Sequence, residues 1–185
     1  MNLFEFLMIL LSLIIGLGLA EILAGFARFL KSDGAHEFSW THGSVTAIIF
    51  IALLQTFWES WGLRSIEEWS FPAMLLMLGS PILLYLIAHV IFPERSQSVS
   101  LEDYYYQRAR LIWALAGLIV IVSTLFRPLA FDMSLWIVDN ATAIPTLAMC
   151  AVLSIFNTRW LHRTLVPVLL LIVLWDTLAI SHTIG

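Results

Sequence analysis

The sequence predicts an all-α, polytopic membrane protein with six transmembrane helices, and three observations support this fold class. Hydrophobic residues make up 61% of the chain and charged residues 12%, with a mean hydropathy of +0.93, which is more apolar surface than one soluble core can bury. The apolar residues fall into six blocks, each near or above the ~20 residues that cross ~30 Å of hydrocarbon. Seven of the nine basic residues lie in alternate gaps between the blocks.

We expect one domain, residues 1–185, with helices at about 3–30, 43–63, 70–92, 101–127, 135–156 and 161–182. The first block lacks a basic start and is too long for a cleavable signal, so we expect it to be retained as a helix. Gly62 ends the second helix. Pro72 lies in the first turn of the third helix, where its missing N–H costs little.

Polar residues also mark boundaries of the last three helices. Ser100 and Asp103 have the spacing of a capping box, which predicts that the fourth helix begins near Leu101. The polar segment 156–160 separates the fifth helix from the sixth. Each half of the chain, 1–92 and 101–182, then contains three crossings and has the opposite orientation to the other, as in inverted-repeat transporters.

The split of basic residues predicts the orientation. Basic residues in short loops stay cytoplasmic, so both termini should face outward in a multi-pass protein of the plasma membrane, the inner membrane in a bacterium. Only Arg64 and Arg127 lie on the outer side by this prediction. We expect the tyrosines 104–106 at the level of the inner headgroups. The cytoplasmic basic residues are Arg28, Lys31, Arg95, Arg108, Arg110, Arg159 and Arg163.

Several function classes are disfavoured. The single cysteine, Cys150, leaves no intramolecular disulfide or multi-cysteine metal site, and no basic patch suits nucleic acid. We expect no catalytic centre, because no nucleophile–base pair or metal-ligand cluster is evident, and no cofactor or metal. A bis-histidine haem on His89 and His162 is conceivable but has no recognisable haem motif.

Ionisable residues inside the apolar blocks are the best candidates for function, because each costs at least ~2.5–3.5 kcal/mol near the centre of a bilayer. Three acids, Glu59, Asp139 and Asp176, are predicted near the outer side and could hold a proton or cation if their helices face one another. The candidates for an ion or proton relay are Glu21, Gln55, Glu59, His89, Asp139, Asn140 and Asp176.

Each candidate also has a purely structural explanation. Glu21 shares a helix face with Gly18, Gly25 and Arg28 and could simply bond a neighbouring helix. The stripe Asp139, Thr142, Thr146, Cys150 and Ser154 could line a wet path, but its hydroxyls could equally bond their own helix. A second stripe, Gly16, Ala20 and Ala24, predicts helix packing.

The basic cluster of Arg159, His162 and Arg163 has residues three to four apart. It could hold a phospholipid headgroup. The positive-inside rule also explains it.

The sequence supports two hypotheses. The first is a transport or channel protein for protons or a small cation, with an intramembrane acidic site. The second is a non-catalytic membrane subunit or sensor whose polar helix faces bind partner helices. We expect the lipid bilayer and either a homo-oligomer or a partner membrane subunit as partners, since six short helices enclose little volume.

Overall fold

The computed structural model describes residues 3–31, 39–66, 68–93, 100–132, 134 and 142–179, and all regular elements within them are helical. The six α-helices are α1 Leu3–Lys31, α2 Trp40–Ser60, α3 Phe71–Val90, α4 Leu101–Phe131, α5 Ala143–Ile155 and α6 Arg159–Ala179, with a 3₁₀ turn, Trp61–Ser65, after α2.

The prediction of six helices is confirmed. Five of them, all except α5, are long and apolar enough to cross a membrane, which is consistent with a multi-pass membrane protein. In the described residues α5 has 13 residues, about 20 Å at 1.5 Å per residue. Its predicted start at 135 lies outside the described residues.

Short-range signals place several helix ends. The Ser100 hydroxyl oxygen accepts from the Asp103 N–H at 3.1 Å, and the hydroxyl donates to the Asp103 carboxylate at 2.9 Å, so α4 starts at Leu101 as predicted. Ser70 caps α3 in the same way through Ala73 N–H, next to Pro72. Helix α4 runs past its predicted end to Phe131, and the next residue, Asp132, terminates it with a left-handed φ of 52°.

The helices form a closed ring in the order α1, α3, α4, α5, α6, α2 and back to α1, and α2 also touches α3 and α4 across the middle. Within the described residues α1 packs along α3, whereas the equivalent pair in the second half, α4 and α6, has little backbone contact. This packing gives no support for an inverted repeat.

The surface of the ring is apolar, since large hydrophobic side chains are exposed on every helix. Tryptophans 58, 61 and 175 are exposed at the predicted outer end, and tryptophans 40 and 160 at the predicted inner end. This arrangement is typical of the two aromatic belts of a membrane protein. The tyrosines 104–106 are all buried among the helices, and their level at the inner headgroups stays a prediction.

Helix α1 meets its neighbours through Gly18 and Gly25. A Cβ added at Gly18 would lie 3.0 Å from Leu53, and one at Gly25 would overlap the Phe92 ring. The stripe Gly16, Ala20 and Ala24 is exposed instead, so its predicted packing role is wrong within this chain. The face that carries Glu21 is the packed one.

We expect Gly25→Ala to lower the free energy of unfolding by about 1–3 kcal/mol, because the added methyl group overlaps the Phe92 ring. Gly16→Ala is the matched control, since nothing lies within 4 Å of a Cβ there. Thermal unfolding in detergent measures both. Equal midpoints for the two variants would contradict the close contact between α1 and Phe92.

Candidate functional site

A cavity of about 360 Å³ lies between the helices at the predicted outer end, where α2, α4 and α6 end and α3 and α5 begin. Its volume falls within the range of small-molecule sites. All six helices contribute to its wall, which is partly open and mostly apolar. The polar lining that matters below consists of Gln55, Glu59, Arg127, Thr142, Thr146 and Asp176.

In this cavity, one side-chain amide donates hydrogen bonds to two carboxylates. The Gln55 side-chain nitrogen donates to Glu59 Oε1 at 2.9 Å and to Asp176 Oδ2 at 3.2 Å. The nitrogen must face these oxygens, because the amide oxygen would repel both acceptors. The two carboxylate oxygens can be no farther apart than the sum of the two bonds, about 6.1 Å.

Asp176 joins three helices. While Oδ2 accepts from Gln55 on α2, Oδ1 accepts from the Thr142 hydroxyl at 3.1 Å, directly before α5. The Thr177 hydroxyl lies 2.8 Å from the Val173 carbonyl oxygen and 3.3 Å from Gln55 Oε1. Asp176 is half-buried and Glu59 is exposed, so the cluster reaches from the interior to the mouth of the cavity.

The structure therefore brings together two of the three acids that the sequence placed at the outer side. Glu59 and Asp176 share Gln55, whereas Asp139 and Asn140 lie outside the described residues. Two neighbouring carboxylates repel when both are charged, so a proton or cation bound between them would lower their energy. Arg127 at the wall adds one basic group to the cavity.

The polar stripe of α5 divides into two parts. Thr142 and Thr146 line the cavity. Cys150, one turn farther along, is only 2% exposed, and the Ser154 hydroxyl donates to the Arg110 carbonyl oxygen at 3.2 Å. A continuous wet path along this stripe is therefore not formed in this conformation.

Glu21 and His89 form a separate pair outside the cavity. Their side chains lie 3.1 Å apart, Oε1 to Nδ1, between α1 and α3, and are 32% and 61% exposed. The His89 ring stacks on Tyr85. This pair lies on the exterior of the bundle, so the structure does not connect it with Glu59 and Asp176.

The two arginines of the basic cluster on α6 form ion pairs with acidic residues of α4. Arg159 binds Asp103 and Arg163 binds Glu102, each at 2.8 Å. His162 is fully buried and both of its ring nitrogens have partners within the protein, so it is not available to a lipid headgroup in this conformation. His89 and His162 do not meet, and the structure therefore offers no bis-histidine haem site at them.

Sequence reasoning missed a buried network at the predicted inner end. The Trp113 indole N–H donates to the Tyr105 oxygen at 2.9 Å, and Tyr105 lies 2.6 Å from His162 Nδ1. The other ring nitrogen of His162 lies 3.2 Å from the Phe156 carbonyl oxygen. The only sequence signal was the eight-residue spacing of Tyr105 and Trp113, which keeps both near one face of α4.

No family model, curated protein or solved structure matches this chain. Within the described ranges, no three histidine, cysteine or acidic side chains are grouped to hold a metal ion.

We expect Gln55→Leu to lower the free energy of unfolding by about 1–3 kcal/mol, because both carboxylates lose their shared donor. Adding Asp176→Asn should restore part of this loss, since an amide at 176 removes one charge and can donate to Glu59. Gln107→Leu, at an exposed position of α4, is the control. Thermal unfolding of the three variants measures the effect, and a lack of rescue would contradict carboxylate repulsion as its cause.

Proposed function

We propose that this chain is a non-enzymatic transport or channel protein for protons or another small cation, and that the polar cavity binds the cation during passage. One observation carries the proposal: Glu59 and Asp176, from two helices, share the Gln55 amide at the wall of a 360 Å³ cavity. A binding site that a permeant ion must enter and leave needs such groups at membrane depth.

The chemistry of the cluster supports the exchange of a charge. Gln55 supplies one N–H to each carboxylate, and Thr142 supplies an O–H to Asp176. Both of these donors are neutral, and an arriving proton or cation is attracted by both carboxylates. Amide and hydroxyl groups can rotate as the ion enters, and their oxygens can then serve as ligands.

The location of the cavity supports a path through a single chain. The cavity forms between helices of one protomer, so the proposal does not require a pore between subunits. A homo-oligomer stays a prediction. A location in the plasma membrane, the inner membrane in a bacterium, and the outward-facing termini stay predictions, and the orientation rests on the distribution of basic residues alone.

The Glu21–His89 pair favours the second candidate function, a membrane subunit that binds a partner helix. Polar side chains exposed on the exterior of a bundle are costly in hydrocarbon, and a partner with its own donors or acceptors would cover them. The exposed stripe of Gly16, Ala20 and Ala24 lies on the same helix and would permit a close approach.

We expect Asp176→Asn and Glu59→Gln to reduce ion flux in proteoliposomes by about tenfold or more, because each removes one charge from the cavity. Glu21→Gln is the matched control, since this acid lies outside the cavity. Flux is followed with a pH-sensitive dye and with tracer alkali cations. Loss of flux in Glu21→Gln alone would move the site to α1 and α3, and absence of flux in the wild-type protein would overturn the proposal.

The subunit hypothesis predicts a different result. Wild-type protein purified in native lipid should retain a second membrane protein, and His89→Leu should lose it because the exposed pair is disrupted. Asp176→Asn, inside the cavity, should retain the partner. Purification of the wild-type chain by itself from its native membrane would count against this hypothesis.

A further inference from the structure

The buried network at the predicted inner end links two helices that otherwise have little backbone contact. Tyr105 and Trp113 belong to α4, and His162 belongs to α6. All three side chains are at most 2% exposed. The only other polar contacts described between these helices lie in the same first turns, at Arg159 and Arg163.

The direction of each hydrogen bond in the network is set by chemistry. An indole N–H can only donate, and a carbonyl oxygen can only accept. His162 must therefore donate from Nε2 to the Phe156 carbonyl and accept at Nδ1, and Tyr105 must donate its hydroxyl proton to Nδ1. This series of three hydrogen bonds, from the Trp113 indole to the Phe156 carbonyl, therefore has only one arrangement of protons that satisfies every polar group in it.

Between this network and the polar cavity lies an apolar layer. Val166 and Leu169 on α6 and Leu153 on α5 are at most 2% exposed. They belong to the same buried cluster as Cys150, which lies one turn from the cavity-lining Thr146. Among the described residues, the side chains of this layer supply no carboxylate, amide or hydroxyl group that would connect the cavity with the inner end. If α6 moved away from α4, the side chains that α6 contributes to this apolar layer would leave it.

We propose that the Tyr105–His162 hydrogen bond closes the inner end of the bundle by holding α6 against α4, and that it breaks when the cavity opens to that side. This inference rests on the proposed transport function, which requires access from both sides. The exposed ion pairs of Arg159 and Arg163 lie at the rim of the same contact, where such pairs contribute little. The Tyr105–His162 bond is the shortest polar contact described between these two helices, and both of its side chains are fully buried.

Cys150 is a built-in reporter of this closure, because it is the single cysteine and is buried below the cavity. A membrane-impermeant maleimide, added to right-side-out and inverted vesicles, should label the wild-type protein slowly. Tyr105→Phe should label about tenfold faster or more from the side on which α4 and α6 begin, as expected for the loss of one buried hydrogen bond.

Tyr104→Phe is the matched control. Its hydroxyl donates to the Val90 carbonyl oxygen at 3.1 Å and so links α4 to α3, leaving the α4–α6 contact intact. Faster labelling in Tyr105→Phe than in Tyr104→Phe supports the closure. Equal labelling of the two variants overturns it. If Tyr105→Phe does not fold, Trp113→Phe, which keeps the Tyr105–His162 bond but removes its orienting donor, should show a smaller increase in the same comparison.

A cross-link provides a test that does not depend on loss of a hydrogen bond. Cysteines replacing Glu102 and Arg163 in a Cys150→Ala background can be joined by a bismaleimide that a reductant cleaves. Cross-linking should stop ion flux and cleavage should restore it, whereas undiminished flux in the cross-linked protein overturns the closure. Absence of flux in the wild-type protein overturns the proposed function alone, and the labelling comparison still decides whether this bond closes the inner end.

Discussion

A polar group that lies in hydrocarbon must find its partner within the protein, and most of the arrangement of this bundle depends on that constraint. His162 uses both ring nitrogens, one on Tyr105 and one on the Phe156 carbonyl. Asp176 uses both carboxylate oxygens, on Gln55 and Thr142. Because these partners come from different helices, satisfying each polar group also decides which helices are neighbours.

The polar groups collect in two layers with an apolar layer between them. At one end, the Gln55 amide joins α2 to α6 across the cavity, and at the other end Tyr105 joins α4 to α6. The middle is packed by side chains such as Leu53, Leu84 and Leu169, each at most 2% exposed. Helix α6 takes part in both polar layers while having little backbone contact with α4. It is therefore the element whose movement would connect the layers.

Local signals in the sequence predicted the helices well, because they depend on neighbours within a few residues. The capping box of Ser100 and Asp103 placed the start of α4 correctly. Helix rotation was predicted less well. The sequence could not distinguish the packed face with Gly18 and Gly25 from the exposed stripe with Gly16, since both have small residues at helical spacing.

For the candidate site, the sequence determined which residues are ionisable, which helix each occupies and, through the basic residues, which end of the bundle each approaches. It thus placed Glu59 and Asp176 at one end and Glu21 with His89 towards the other. Only the tertiary structure decided that Gln55 bridges the first two, that the second two form an exterior pair, and that His162 is buried between the helices. The reason is physical: hydropathy and charge set depth along the membrane normal, whereas contacts within the plane depend on how six helices rotate to satisfy one another's polar groups.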